Sequence, residues 1–405
     1  MHRRHDIDAL RALAFGLLIL YHLSMLYVTD WGWHVKSSYL SEALQLPMLM
    51  LNRWRMDLIF LISGVSTAFL MQHTGIGDFL RQRNGRLLLP LAFGIVVVVP
   101  IQPYCQGVVN GIVEPGFAQF LARYYTAAVW PAHAFDGWQH GYTWNHLWYL
   151  AYLWCYTLLL VTLQPALKTR TGQRLQSAFT RLRGASLLLW PALPLLLYAV
   201  TLQRQFPNTY ELFNDWYAHA VYFTIFLYGW CLARSNALWA ELQRLRKPAL
   251  GLALASAGAY LALVLLYQNV DEVSMAAQWA IWALRSAYVW TTLCAILGWG
   301  HALLNRPWRW LPWATQSVYP WYLLHQSLIV LLAYWLVPLK LGPIREPVLI
   351  GLGTVLGCWL LTSGLIVHSQ WLRPLFGLKP LQRATATAPA GMALDAARAG
   401  DRTDV

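Results

Sequence analysis

About ten apolar runs, each near the length a helix needs to cross a bilayer, follow one another along this chain: 9–28, 47–72, 87–101, 146–164, 186–203, 217–234, 249–267, 277–303, 314–336 and 347–371. Lipid offers no water to backbone N–H and C=O groups, so such runs fold as helices, whose backbone bonds are internal. The expected fold is all-α: a polytopic integral membrane protein of about ten transmembrane helices. Composition agrees, with 58% hydrophobic and only 12% charged residues, against about a quarter charged in a soluble domain. The third run is short and its ends are ill-defined.

A net charge of +13 on a soluble chain would point to nucleic acid. Here the basic residues form short clusters between apolar runs, a pattern that membrane topology explains, and no nucleic-acid partner is expected. The clusters fall at Arg3–Arg11, Arg81–Arg86, Lys168–Arg183, Arg234–Lys247, Arg306–Arg309 and Arg373–Arg402. With ten spans all six lie on one side together with both termini, and the positive-inside rule makes that side cytoplasmic. An odd number of spans would scatter them to both faces.

One domain is expected over 1–380, followed by a cytoplasmic tail over 381–405, rich in Ala and Thr and read as disordered. The first apolar run resembles the core of a signal peptide. It leads into Met25, Leu26, Tyr27 and Trp31 rather than into small residues a peptidase cleaves, so a retained anchor is expected. The five cysteines show no C-x-x-C spacing, and neither a disulfide nor a metal site is expected. The longest outside stretch, 100–145, is dense in aromatic residues, among them Tyr104, Trp130, Trp138, Tyr142 and Trp144. Rings with polar tips suit sugars, and they also suit an aromatic belt at the membrane interface; the two readings are compatible.

Ionisable groups inside a bilayer cost about 2.5–3.5 kcal/mol on insertion scales, so each is a functional candidate. Those that stand out are His22, Asp57, Arg285, His325 and the pair Arg83 and Arg86. Arg11 and His22 are eleven steps of about 100° apart, so they share one helix face roughly 16 Å from each other. Asp8 can hold Arg11 as an i,i+3 partner. From spacing alone two readings stand: an anchor arginine with an interfacial histidine, or two parts of a site. Arg83 and Arg86, three apart, share a face whose two guanidinium forks suit phosphates, although any inside loop is basic. Asp57 is expected either to pair with Arg53 at i,i+4 in a wet cavity near the outer face, beside Arg55, or to serve in substrate binding or catalysis. Arg285 must face the interior, paired with a carboxylate or set to stabilise an oxyanion. His325 is expected to hydrogen-bond a neighbouring helix or to act in catalysis. His146 and Trp148 are candidate acceptor contacts. Ser63 and Gly64 permit a close approach of helix or ligand; the alternative, an acyl-serine, lacks an adjacent base in sequence.

The stretch Asp8-Ala9-Leu10-Arg11-Ala12 with His22 resembles the R-x10-H signature on the first helix of the membrane acyltransferase 3 family. Arg55-Met56-Asp57-Leu58-Ile59-Phe60-Leu61-Ile62-Ser63-Gly64 is similar to its second-helix pattern, Arg83-Asn84-Gly85-Arg86 to its R-x-x-R motif, and Ser317–His325 to its late helix. The motifs run from about residue 6 to 326. Each is weak alone, while their order and side of the membrane agree. The resemblance implies an acyltransferase 3 type fold, in a bacterial inner membrane, that takes an acyl group from cytoplasmic acyl-CoA to a hydroxyl of a periplasmic or surface glycan. It implies His22 as general base, with Arg11 placing the donor or shaping the field, and Arg83 and Arg86 binding CoA. Acyl-CoA is then a substrate, and no permanently bound cofactor is expected. The competing reading is a transporter or flippase of a polar conjugate, which would also line a cavity with His, Arg and Asp; repeated halves with broken helices, frequent in transporters, are not evident.

Overall fold

The computed structural model describes residues 4–381, and there the chain forms helices and connecting loops without a strand. The tail expected over 381–405 lies outside the described residues, Leu381 excepted. The chain runs through α1 (His5–Ser24), α2 (Gln45–His73), α3 (Ile76–Phe93) and α4 (Ile101–Val109) into a long loop that carries α5 (Phe117–Tyr124). It continues through α6 (Trp148–Lys168), α7 (Arg170–Thr180), α8 (Gly184–Leu189), α9 (Ala192–Thr201), α10 (Trp216–Leu232), α11 (Asn236–Arg244) and α12 (Arg246–Tyr267). The last elements are α13 (Met275–Leu304), α14 (Leu311–Leu336), α15 (Arg345–Leu360) and α16 (Leu372–Leu375).

Nine helical runs among the described residues are long and apolar enough to cross a membrane. The sixth expected span forms as α10, whose 17 residues stand at the lower limit for crossing. The third expected span is corrected from 87–101 to a continuous run, Ile76–Val109, of 34 residues. Its first turns carry Arg81, Arg83 and Arg86, which lower the hydropathy without ending the helix. Pro90 sits inside α3, and a π-helical turn, Gly94–Val98, joins α3 to α4. The outer loop therefore begins at about 110 rather than at 100.

Exposed faces confirm the solvent. Leu254 and Leu266 on α12 and Leu352 and Leu356 on α15 point away from the bundle, as residues facing acyl chains do. Inside, helices meet through small residues and aromatic packing. A Cβ at Gly64 of α2 would run into the Phe226 carbonyl of α10, and one at Gly229 of α10 into the Leu61 carbonyl of α2. The two backbones thus touch reciprocally. Beside this crossing Phe60 stacks on Tyr222 at 4.7 Å between ring centroids.

Successive crossings define two ends. One carries the loops 25–41, 110–147 and 203–215; the other carries Arg4, Arg11, Arg83 and Arg86, together with α7, α11 and α16. Three helices start with a side-chain cap: Thr169 on α7, Ser235 on α11 and Ser274 on α13 each accept a backbone N–H of the first turn.

Candidate active site

Leu13 and Leu20 of α1 are exposed, while Phe15, Leu18 and His22 are buried, so Arg11 and His22 point inward along the stripe that meets α14 and α2. His22 is 7% exposed. Its Nδ1 lies 2.8 Å from Nε2 of His325 on α14, and the two rings are nearly parallel, 11° apart. His325 Nδ1 in turn lies 2.8 Å from the Tyr322 carbonyl and 3.0 Å from that of Trp321. Carbonyls only accept, so Nδ1 of a neutral His325 carries its proton and Nε2 has a lone pair. His22 therefore donates from Nδ1. Its Nε2 is left as a proton acceptor, and His22 lines a cavity of about 1020 Å³.

That cavity opens at the loop end of the bundle, and its wall is aromatic and polar: Trp31, Trp33, Trp138, Tyr142, Trp144, Trp148 and Tyr210 with His34, Arg55, Asn145 and Gln326. The aromatic stretch 100–145 and Trp148, a candidate acceptor contact, thus reach the same space as His22. His146 lines it too, although both ring nitrogens are engaged. Its Nε2 faces the Tyr322 and Leu323 carbonyls at 3.1 and 3.2 Å, and Gln102 Nε2 approaches its Nδ1 at 3.4 Å. Arg55 stacks over Tyr21, 3.7 Å from the ring centre. Trp33 stacks on His22 at 5.5 Å.

Loop residues are fixed by buried anchors. Tyr124 donates to the Thr143 carbonyl and accepts from the Thr143 N–H, both at 3.2 Å; burial pushes its phenol up to about 12, so it remains a neutral donor. Asp215, fully buried, accepts from Tyr152 Oη at 2.6 Å and from the backbone N–H groups of Thr209 and Tyr210 at 2.8 and 3.0 Å. These bonds hold Tyr210 at φ +60°, a conformation a tyrosine seldom takes, with its ring 4.9 Å from Trp148.

At the other end Arg11 donates to Ser66 Oγ, and Asp8 lies 3.7 Å from it. Arg83 donates to Thr67 Oγ1, and Arg86 Nε reaches the Gly377 carbonyl at 3.3 Å. Arg11, Arg83 and Arg86 lie within electrostatic reach of one another, and Arg11 and Arg83 of Tyr149. Tyr149 Oη bonds Ser63 Oγ at 2.6 Å, and the Tyr149 ring packs edge-on against Tyr322 at 5.9 Å. Tyr322 donates to the His146 carbonyl at 2.5 Å and its ring lies 6.3 Å from His325. Two phenols thus stand between the arginines and the histidines. Ser63 bonds Tyr149 there, whereas Gly64 belongs to the crossing with α10.

Two expectations are corrected. Arg53 does not pair with Asp57; its Nε donates to Tyr260 Oη on α12 at 2.9 Å, because a tertiary partner wins over a neighbour on the same helix. Arg285 takes no carboxylate and does not line the cavity of His22. It donates to Gln203 Oε1 at 2.6 Å and Tyr217 Oη at 2.8 Å, and with Arg53 and Asp57 it lines a smaller cavity of about 250 Å³.

The sequence reading missed the glutamines. Gln102 on α4 donates to Ser327 Oγ at 2.7 Å and accepts from Asn145 at 2.8 Å and Gln326 at 3.0 Å. Gln326 Nε2 also meets His34 at 3.2 Å, and His34 Nδ1 meets Gln106 Oε1 at 2.7 Å. The signal was a pair of amides four residues apart in an apolar run, Gln102 and Gln106, which seldom sit in lipid unsatisfied. No curated protein and no solved structure is similar enough to be matched to this chain. The acyltransferase domain model of the acyltransferase 3 family matches residues 4–363, nearly the whole of the described chain, and the protein therefore belongs to that family of membrane acyltransferases.

Proposed function

We propose that the protein is a transmembrane O-acyltransferase that moves an acyl group, succinyl or acetyl, from cytoplasmic acyl-CoA to a hydroxyl of a periplasmic or cell-surface glycan. The observation that carries the reading is the His22–His325 hydrogen bond, which leaves Nε2 of His22 free at the wall of an aromatic cavity. A sugar hydroxyl is a weak nucleophile until its proton is taken. In this reading Nε2 takes that proton as the oxygen attacks the thioester carbonyl. The tetrahedral intermediate then expels the thiolate, which recovers the proton from the imidazolium. His325 orients the base and fixes its tautomer, as a carboxylate or carbonyl does for other catalytic histidines.

Arg83 and Arg86, with Arg11 close by, would bind the phosphates of CoA at the opposite end. The aromatic wall would stack on sugar rings. The positive-inside rule puts the arginine end and both termini in the cytoplasm, and the resemblance supports a bacterial inner membrane. Within the family, Trp33-His34-Val35 and Asn145-His146-Leu147-Trp148-Tyr149-Leu150 look most like glucans biosynthesis protein C, which favours succinyl transfer to a periplasmic glucan.

The test is mass spectrometry of periplasmic glucans from cells that carry the wild-type gene, a His22→Ala gene or none. Acyl-substituted glucans are expected with the wild type alone, at equal amounts of inserted protein. Full substitution in the His22→Ala cells would remove this residue from the mechanism, and no substitution in any cells would remove glucans as acceptor.

A further inference from the structure

Asp57 is 5% exposed, yet its Oδ1 has no hydrogen-bond partner among the described residues, and no ion pair within 4.0 Å joins it to Arg285 or Arg53. A buried carboxyl group with an unpartnered oxygen is costly unless something else completes it. It lines the smaller cavity with Arg285, itself 8% exposed, and with Gln203 and Tyr217. Arg285 acts on Asp57 by charge across this space. Asn52 and Tyr210 line both cavities, so the smaller one adjoins the space that His22 faces.

The chemistry of the lining favours a neutral polyol. The open Oδ1 of Asp57 needs a hydrogen-bond donor, which an anion does not supply, and the guanidinium groups of Arg53 and Arg285, already held by Tyr260, Gln203 and Tyr217, oppose a cation. Hydroxyls, which donate and accept, satisfy both signs at once. Tyr210, Tyr217 and Tyr222 add ring faces, and about 250 Å³ suits one pyranose ring rather than a length of chain. We propose that the cavity around Asp57 and Arg285 is a side subsite that holds one sugar ring of the acceptor glycan next to the unit acylated at His22. Asp57 accepts two of its hydroxyls, and Asn52 and Tyr210 form the lip over which the glycan passes. The proposal rests on the glycan-acceptor reading above and adds to it where a second ring is held.

The experiment is equilibrium binding, without donor, of β-linked gluco-oligosaccharides of increasing length to the full chain in lipid nanodiscs, read by calorimetry. Affinity is expected to rise at the length at which a second ring reaches the subsite. Asp57→Asn is expected to erase about tenfold of that gain while the shortest sugars bind as to wild type. Gln203→Ala, which removes the partner of Arg285 from a loop rather than from a helix, is expected to act in the same direction and covers the case in which the Asp57 variant does not insert. A gain with length that survives in both variants, or no gain in the wild type, overturns the subsite. Acyl transfer to the same sugars is measured separately, so that binding with the expected length dependence but no transfer counts against the enzymatic reading and not against the subsite.

Discussion

At the scale of the residue, His22 and His325 are joined by a hydrogen bond on which the proposed mechanism depends. His325→Ala removes the acceptor of the His22 Nδ1 proton, so the imidazole loses both its tautomer and its aim. Transfer is expected to fall by roughly 10²-fold in kcat, within the range of general-base effects, with the KM for acyl-CoA unchanged. An equal fall in donor affinity would mean that His325 holds the fold rather than the base. His22 was legible in the sequence because an ionisable group in an apolar run is rare, and its spacing from Arg11 is local to one helix. His325 stood out for the same reason, but its pairing with His22 did not, since the two lie 303 positions apart and helix packing alone sets their contact. The same limit explains Arg53: spacing on one helix pointed to Asp57, and packing supplied Tyr260 instead.

At the scale of the element, the α2–α10 crossing depends on two glycines. Gly229→Val would drive methyl groups into the Leu61 backbone of α2, which cannot yield as a side chain would. A loss of about 1–3 kcal/mol, typical of overpacking, is expected as a lowered melting temperature in detergent. Gly251, which no atom approaches, is the matched control that valine leaves much less affected. A second element-scale contact responds to pH. Glu241 of α11 accepts from Arg244 at 2.6 Å and from the Gly184 N–H at the start of α8 at 2.7 Å, and these bonds, Arg244 first, lower its carboxyl from 4.5 to about 2. A depressed folded pKa gives stability that is complete above about 4.5 and fades as pH falls toward 2. The melting temperature is therefore expected to drop over that window, and less so in Glu241→Gln; identical slopes would dismiss the contact. Helix existence was readable from hydropathy, but the ends of Ile76–Val109 were not. Three arginines interrupt its apolar pattern, and Pro90 is accommodated next to a π-helical turn that hydropathy cannot reveal. That turn leaves the Val98 carbonyl to accept from Ser327 Oγ at 2.7 Å.

At the scale of the whole molecule, the sequence supplied a bundle with a basic end and an aromatic end, while the cavities are products of tertiary assembly. Loops separated by more than a hundred residues, 25–41 and 203–215, close over one space, and nothing local in either announces the other. The Tyr149–Tyr322 contact between the two ends bears on the tightness of the membrane as much as on chemistry. A conduit left open at both mouths would short-circuit the proton gradient, which drives each charge with about 2.3 kcal/mol per 100 mV. Packed phenols between the two ends are expected to work as a washer against such leakage. Vesicles bearing Tyr149→Ala are accordingly expected to dissipate an imposed pH difference faster than wild-type vesicles, followed with an entrapped dye, and equal decay would mean that the molecule is kept watertight elsewhere.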